Sequence, residues 1–103
     1  MHTARFSIGQ LVFHALFEYR GVIFDVDFAF QGNDEWYEKV ARSRPDKHQP
    51  WYRVMVDNTL YCTYVAECHL LPSERQAPIH HPLLELYFDR YDGQRYYAKD
   101  MLH

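Results

Sequence analysis

A chain of 103 residues with 48% hydrophobic and 17% aromatic side chains has apolar area for one compact core and not for two, which excludes wholesale disorder. Net charge is −3 and the pI about 6.1, so the chain as a whole lacks the basic excess that neutralises phosphates; a nucleic-acid site would have to be a local patch. With only Cys62 and Cys68, no secretory signal and no apolar run near the roughly 18 residues of a membrane span, one expects a single reduced, cytoplasmic domain over residues 1–103 without a membrane segment.

In chain order, Gln10–His14 alternates Leu11 and Phe13 against Val12 and His14, a strand pattern. The following run to Gly21 predicts a reversal at that glycine. Val22, Phe24, Val26 and Phe28 then recur at period two, with Asp25 and Asp27 between them. That spacing predicts a half-buried strand with one apolar face.

Residues 29–50 change character. Asn33 or Asp34 can cap a short helix with Glu35 and Glu38 early and Lys39 and Arg42 late, the order a helix dipole favours. Glu35–Lys39, Glu38–Arg42 and Trp36–Val40 fall at i,i+4, and Pro45 stops the run.

Trp51–Asp57 and Tyr61–Glu67 read as a hairpin turned at Asp57–Leu60. Tyr52, Val54 and Val56 form the core face. Trp51 shares the opposite face with Arg53 and Met55, so it is expected to be an exposed or interfacial ring. Glu67 is placed to accept backbone hydrogen bonds at the hairpin end. Farther on, Pro82 opens and Gly93 stops a predicted short helix bearing Leu83, Leu84, Leu86, Tyr87 and Phe88, and Tyr96–Tyr97 ends the pattern in an extended piece. The sum is a mainly β protein, a small, strongly bent antiparallel barrel with one or two short helices.

Chemistry-bearing residues are sparse. Seven histidines include no HxxxH, CxxC or HExxH spacing, so no metal and no other cofactor is expected. His80 and His81 are assigned to the turn before Pro82. A Cys–His nucleophile using Cys62 or Cys68 lacks an oxyanion turn, and both cysteines are read as structural. Asp25 and Asp27 are read as a solvated strand face. The one local basic cluster, Arg42, Arg44 and Lys47, lies near Trp36, Tyr37 and Trp51, a basic-aromatic combination suited to nucleic acid. Methyl sensing would need an apolar contact, for which Trp36 or Trp51 is the candidate.

The ordered motifs FSIGQLVFH (6–14), YRGVIFDVD (19–27), QPWYRV (49–54), TYVAE (63–67) and HPLLELYF (81–88) resemble those of the HspQ / YccV-like family. The resemblance implies an SH3-like barrel and a cytoplasmic, non-enzymatic, self-associating protein, trimeric in some members. It implies two roles: binding hemimethylated DNA, and acting in heat-shock proteostasis as a specificity factor for the ATP-dependent Lon protease. Arg42, Arg44, Lys47 and Trp36 are the candidate DNA-binding residues. Trp51, Tyr64, Tyr19 and Arg53 are the candidates for an interface or ligand surface. The acidic balance and β-edge-rich barrel favour a purely protein-binding module as the alternative. No catalytic constellation supports an enzyme.

Overall fold

The computed structural model describes residues 3–40 and 44–99. Five strands form one antiparallel sheet: β1 (Leu11–His14), β2 (Arg20–Asp27), β3 (Trp51–Val56), β4 (Cys62–Ala66) and β5 (Leu70–Pro72), in the order β4-β3-β2-β1-β5. Helix α1 (Asp34–Val40) lies between β2 and β3; α2 (Leu84–Tyr87) precedes a second ladder of β6 (Phe88–Tyr91) with β7 (Tyr96–Ala98).

The strand order dictates the curvature. β4 and β5 are opposite edges of the sheet, yet only the three-residue 3₁₀ turn Glu67–His69 separates them in sequence. A flat five-stranded sheet would set its edges about 19 Å apart. The link from Ala66 to Leu70 spans about 14 Å even when fully extended, and less as a 3₁₀ turn. The sheet must therefore roll up. Among the described residues β4 and β5 form no ladder with each other, so the expected barrel is closed through the chain, with a seam along one edge of β4.

Glu67 secures this turn. It is buried, and its Oε2 accepts the Tyr52 hydroxyl proton at 2.7 Å and the Arg5 N–H at 2.9 Å. The Tyr52 oxygen in turn accepts the Phe6 N–H at 3.2 Å. Burial, and then the bond to Glu67, pushes the Tyr52 phenol up to about 12. Glu67 thus accepts a backbone hydrogen bond as expected, from the N-terminal segment.

Two glycines differ from their expected roles. Gly21 lies within β2 and is not a reversal; a Cβ there would meet Val54 Cγ1 at 2.4 Å and the Met55 carbonyl oxygen at 2.6 Å. The reversal comes earlier, at residues 15–19, with Glu18 at φ 55°. Gly93, at φ 97°, turns the β6–β7 hairpin. The helix expected to reach it stops at Tyr87, and Phe88 enters a strand.

The single apolar face expected for β2 is split. A bulge between Ile23 and Asp25 shifts the register, so the faces exchange at Phe24. Ile23 and Val26 pack with Val12, Tyr52 and Val54 inside the curl, whereas Val22 and Phe24 join Leu11, Met55, Phe88 and Tyr96 on the outside. Phe28 is exposed. Met55 is fully buried because the C-terminal hairpin covers that outer face.

Helix α1 follows its expected signals. Asn33 Oδ1 caps it by accepting the Trp36 N–H at 2.7 Å, and Glu35 pairs with Lys39 at 2.9 Å. Glu38 pairs with Arg44; Arg42 and the Val40 side chain lie outside the described residues.

Replacing Glu67 by Ala leaves the Tyr52 hydroxyl and the Arg5 N–H without their shared acceptor. A loss of about 2–3 kcal/mol is expected from urea unfolding, with Glu67→Gln retaining roughly half the lost stability. Equal midpoints for Glu67→Ala and the parent would remove this clamp from the account.

Candidate functional site

The seam along β4 opens into a groove of about 790 Å³. Thr63, Tyr64, Val65 and Ala66 line it consecutively. Since alternate strand residues point to opposite faces, the groove follows the strand edge rather than either face. Trp36, Pro45 and Trp51 contribute one flank, and Leu16, Phe17 and Tyr19 another. Among the described lining residues there is no carboxylate.

The aromatic flank is held rigidly. Trp51 stacks with Tyr64 at 5.3 Å and 29°, and Trp36 meets Tyr64 at 5.8 Å and 64°. Phe30 backs both tryptophans. The expectation of an exposed Trp51 is corrected: the ring is 1% exposed. Helix α1 and Phe30 cover the face that strand alternation alone would leave open, and the Trp51 indole N–H donates to the Asp46 carbonyl at 3.3 Å. Trp51 is the groove's backing, while Trp36 and Tyr64 are half-buried.

Tyr64 is fixed at both ends of its hydroxyl. It donates to Asp27 Oδ2 at 2.6 Å and accepts the Gln31 N–H at 3.1 Å. Burial, and then the bond to Asp27, pushes its phenol up to about 12. The Arg53 guanidinium lies 4.8 Å from the Tyr64 ring centroid. That arginine is 49% exposed and faces Asp25 at 3.8 Å, an ion pair of small energetic weight. Tyr19 shares a 2.7 Å hydrogen bond with Thr63 Oγ1, and burial raises its phenol.

Tyr19, Trp51, Arg53 and Tyr64, from distant points of the chain, therefore meet in one groove, together with Trp36. Arg44 and Lys47 do not line it. Arg44 pairs with Glu38, and Lys47 pairs with Asp34 at 2.9 Å while its Nζ lies 4.3 Å from the Tyr37 ring centroid.

Sequence reasoning missed a second cationic cluster on β6–β7. Arg90 lies 4.0 Å and Arg95 5.6 Å from the Tyr97 ring centroid. Asp92-Gly93-Gln94 between RY and RYY is its hairpin signal.

The opposite flank is set by His14. Its buried ring accepts the Leu16 and Phe17 N–H groups on Nδ1, each at 3.1 Å, and stacks with His69 at 5.8 Å. The bonds hold a turn that displays Leu16 and Phe17, 55% and 75% exposed. Burial, and then the neighbouring His69, pulls the His14 imidazole down to about 4.

Cys62 also lines the groove, and both cysteines are exposed rather than buried as expected of structural ones. Burial of the thiol group raises the Cys62 pKa, the reverse of an activated nucleophile. Its neighbour His81, with Nε2 at 4.0 Å from the sulfur, is committed elsewhere. His81 Nδ1 accepts the Leu83 N–H, so Nε2 carries the proton and donates to the Tyr61 carbonyl at 2.9 Å. His81 thus serves the turn before Pro82. Among the described residues no three His, Cys, Asp or Glu side chains cluster to hold a metal ion, and no helix is long and apolar enough to cross a membrane.

A rolled antiparallel sheet with an aromatic groove along a free edge, lined by no carboxylate among the described residues, defines a small, mainly β domain. The family model described as hemimethylated DNA-binding protein YccV like matches residues 4–95. The chain belongs to this YccV-like family.

The His14 contacts give stability a pH dependence. Its folded pKa is below the unfolded value of 6.5, so the unfolded chain binds the extra proton between pH 6.5 and about 4. The contribution is present above pH 6.5 and is lost as pH falls through that window, by at most about 3 kcal/mol. Urea midpoints at pH 7.5, 6.5, 5.5 and 4.5 should fall less steeply for His14→Gln than for the parent. Parallel curves would count against a neutral His14.

Proposed function

We propose that this protein is a non-enzymatic module that binds hemimethylated DNA through the β4 groove and the basic run beside α1. The observation that carries the reading is the groove itself: half-buried Trp36 and Tyr64, an exposed Arg53 and, among the described residues, no lining carboxylate, in a chain of net charge −3. The family's description supports it. Trp36 supplies the apolar surface for a methyl group. Arg53, Arg44, Lys47 and Arg42 supply phosphate contacts. Arg44 and Lys47 can exchange Glu38 and Asp34 for phosphate cheaply, because exposed ion pairs are worth under about 1 kcal/mol.

The test is fluorescence anisotropy on hemimethylated, fully methylated and unmethylated duplexes at two salt concentrations. The hemimethylated duplex should bind most tightly at both. Arg53→Ala should lower the log–log salt slope by about one for every duplex. Trp36→Ala should cost about 1–3 kcal/mol, most of it on the hemimethylated duplex. Weak, salt-sensitive binding identical for all three duplexes would reduce DNA to a charge effect.

A second reading rests on Leu16 and Phe17, large apolar side chains displayed on a rigid turn at the groove's other flank. A surface of this kind suits a protein partner. We propose it for the proteostasis role, as a contact for Lon or its substrates. Leu16→Ala/Phe17→Ala should abolish stimulation of degradation by purified Lon and leave duplex binding unchanged; undiminished stimulation would reject it. The self-association implied by resemblance would use exposed apolar residues such as Leu60, Tyr61 and Leu86, not the buried Trp51.

A further inference from the structure

We propose that the groove holds one nucleobase turned out of the duplex, and does not read a base edge within the stack. The proposal rests on the DNA-binding reading above and names its mode.

Shape is the first argument. Reading in place requires an element that protrudes into a major groove about 12 Å wide. The β4 site is concave, and its 790 Å³ lies within the roughly 300–1,000 Å³ of small-ligand pockets. The adjacent α1 has seven residues, and it turns Trp36 and Tyr37 inward against Trp51 rather than outward. A concave aromatic site of this size accommodates one base, not a double helix.

Hydrogen bonding along the seam is the second argument. The hairpin register pairs Val54 with Thr63 and Tyr52 with Val65. The Val56 N–H donates to the Tyr61 carbonyl, and the Glu67 N–H to the Pro50 carbonyl. Hydrogen-bonded pairs alternate along an antiparallel ladder, so Thr63 and Val65 direct their backbone groups at β3. Cys62, Tyr64 and Ala66 direct theirs away, toward the groove. The Ala66 carbonyl opens the 3₁₀ turn, while the Cys62 carbonyl, the Tyr64 N–H and carbonyl and the Ala66 N–H have no partner among the described residues. The Cys62 carbonyl with the Tyr64 N–H, and the Tyr64 carbonyl with the Ala66 N–H, are acceptor–donor pairs. Each complements the amino group and adjacent ring nitrogen of adenine, and an N6-methyl group leaves one amino hydrogen to donate.

The surroundings complete the fit. Half-buried Trp36 offers ring surface for stacking, and Tyr64, sandwiched by Trp51 and Arg53 and held by Asp27 and Gln31, forms a fixed wall beside it. Arg53 stands exposed beside Tyr64 for the flanking phosphate. Extrusion favours a base whose pairing is already weakened.

The experiment uses the full chain and a duplex with N6-methyladenine in one strand and 2-aminopurine beside it. Saturation, followed by anisotropy of a separate end label, should raise the 2-aminopurine fluorescence several-fold. Placing an abasic site opposite the methylated base should tighten binding about tenfold, since the pairing energy is no longer lost. Saturable binding with unchanged 2-aminopurine emission, and no gain from the abasic site, would overturn base extrusion and leave the DNA reading standing. If no duplex binds but a reduced, carboxymethylated polypeptide does, the β4 edge serves strand addition, and both the extrusion and the DNA reading are wrong.

Discussion

The architecture depends on one constraint of connectivity. The two edges of the five-stranded sheet are neighbours in sequence, joined by three residues. No flat arrangement satisfies that link, so curvature is imposed by chain length before any side chain is considered. Side chains then hold the closure in place. Glu67 sits in the linking turn and binds Tyr52 of β3 and Arg5 of the N-terminal segment through one carboxylate oxygen. A buried acid placed there ties the sheet, the turn and the chain entry together. Such a carboxylate is tolerated because it is satisfied by two donors.

Closing a sheet by its connection and not by a ladder leaves a seam. On one side of it the backbone of β4 faces open space; on the other stands the β1–β2 turn, held by the two N–H bonds to His14 and by the Ala15 N–H to His69 carbonyl bond. Helix α1 and Phe30 pack tryptophan and tyrosine rings against the same seam. The groove is thus a by-product of the topology, furnished by whatever side chains the adjoining elements bring. This explains how residues as separated as Tyr19, Trp36, Arg53 and Tyr64 come to line one surface.

The strands themselves were legible because their patterns are local. Alternation located β3 and β4, Asn33 and Glu35–Lys39 located α1, and Tyr52 was recognisable as core. Errors arose where a distant element decides an outcome. Trp51 and Met55 share an apparently open face with Arg53, and nothing near them in sequence announces that α1 covers the one and the C-terminal hairpin the other. The bulge at Phe24 reverses the faces of β2 without a glycine to signal it. Gly21 is ambiguous in sequence, since close approach between strands and a turn both require glycine. For the site, the residue types were evident, but their meeting in one groove depended on closure. The Arg90–Tyr97–Arg95 cluster was hidden by a mistaken helix, because Asp-Gly can end a helix or turn a hairpin.

The order of strands has a consequence for how the chain reaches this state. β1, β2 and β3 each pair with the next strand in sequence, but the other edge of β1 must wait for β5, joining Phe13 to Leu71, and Gly9 must find Tyr96. Long loops make such pairings slow, because their closure entropy is met before the contacts reward it. Throughout that interval β4 offers a run, CTYVA, with neither charge nor proline, the features that commonly guard an exposed edge against intermolecular pairing. Refolding at high protein concentration therefore sets ring closure within one molecule against strand exchange between two, and dilution favours the former.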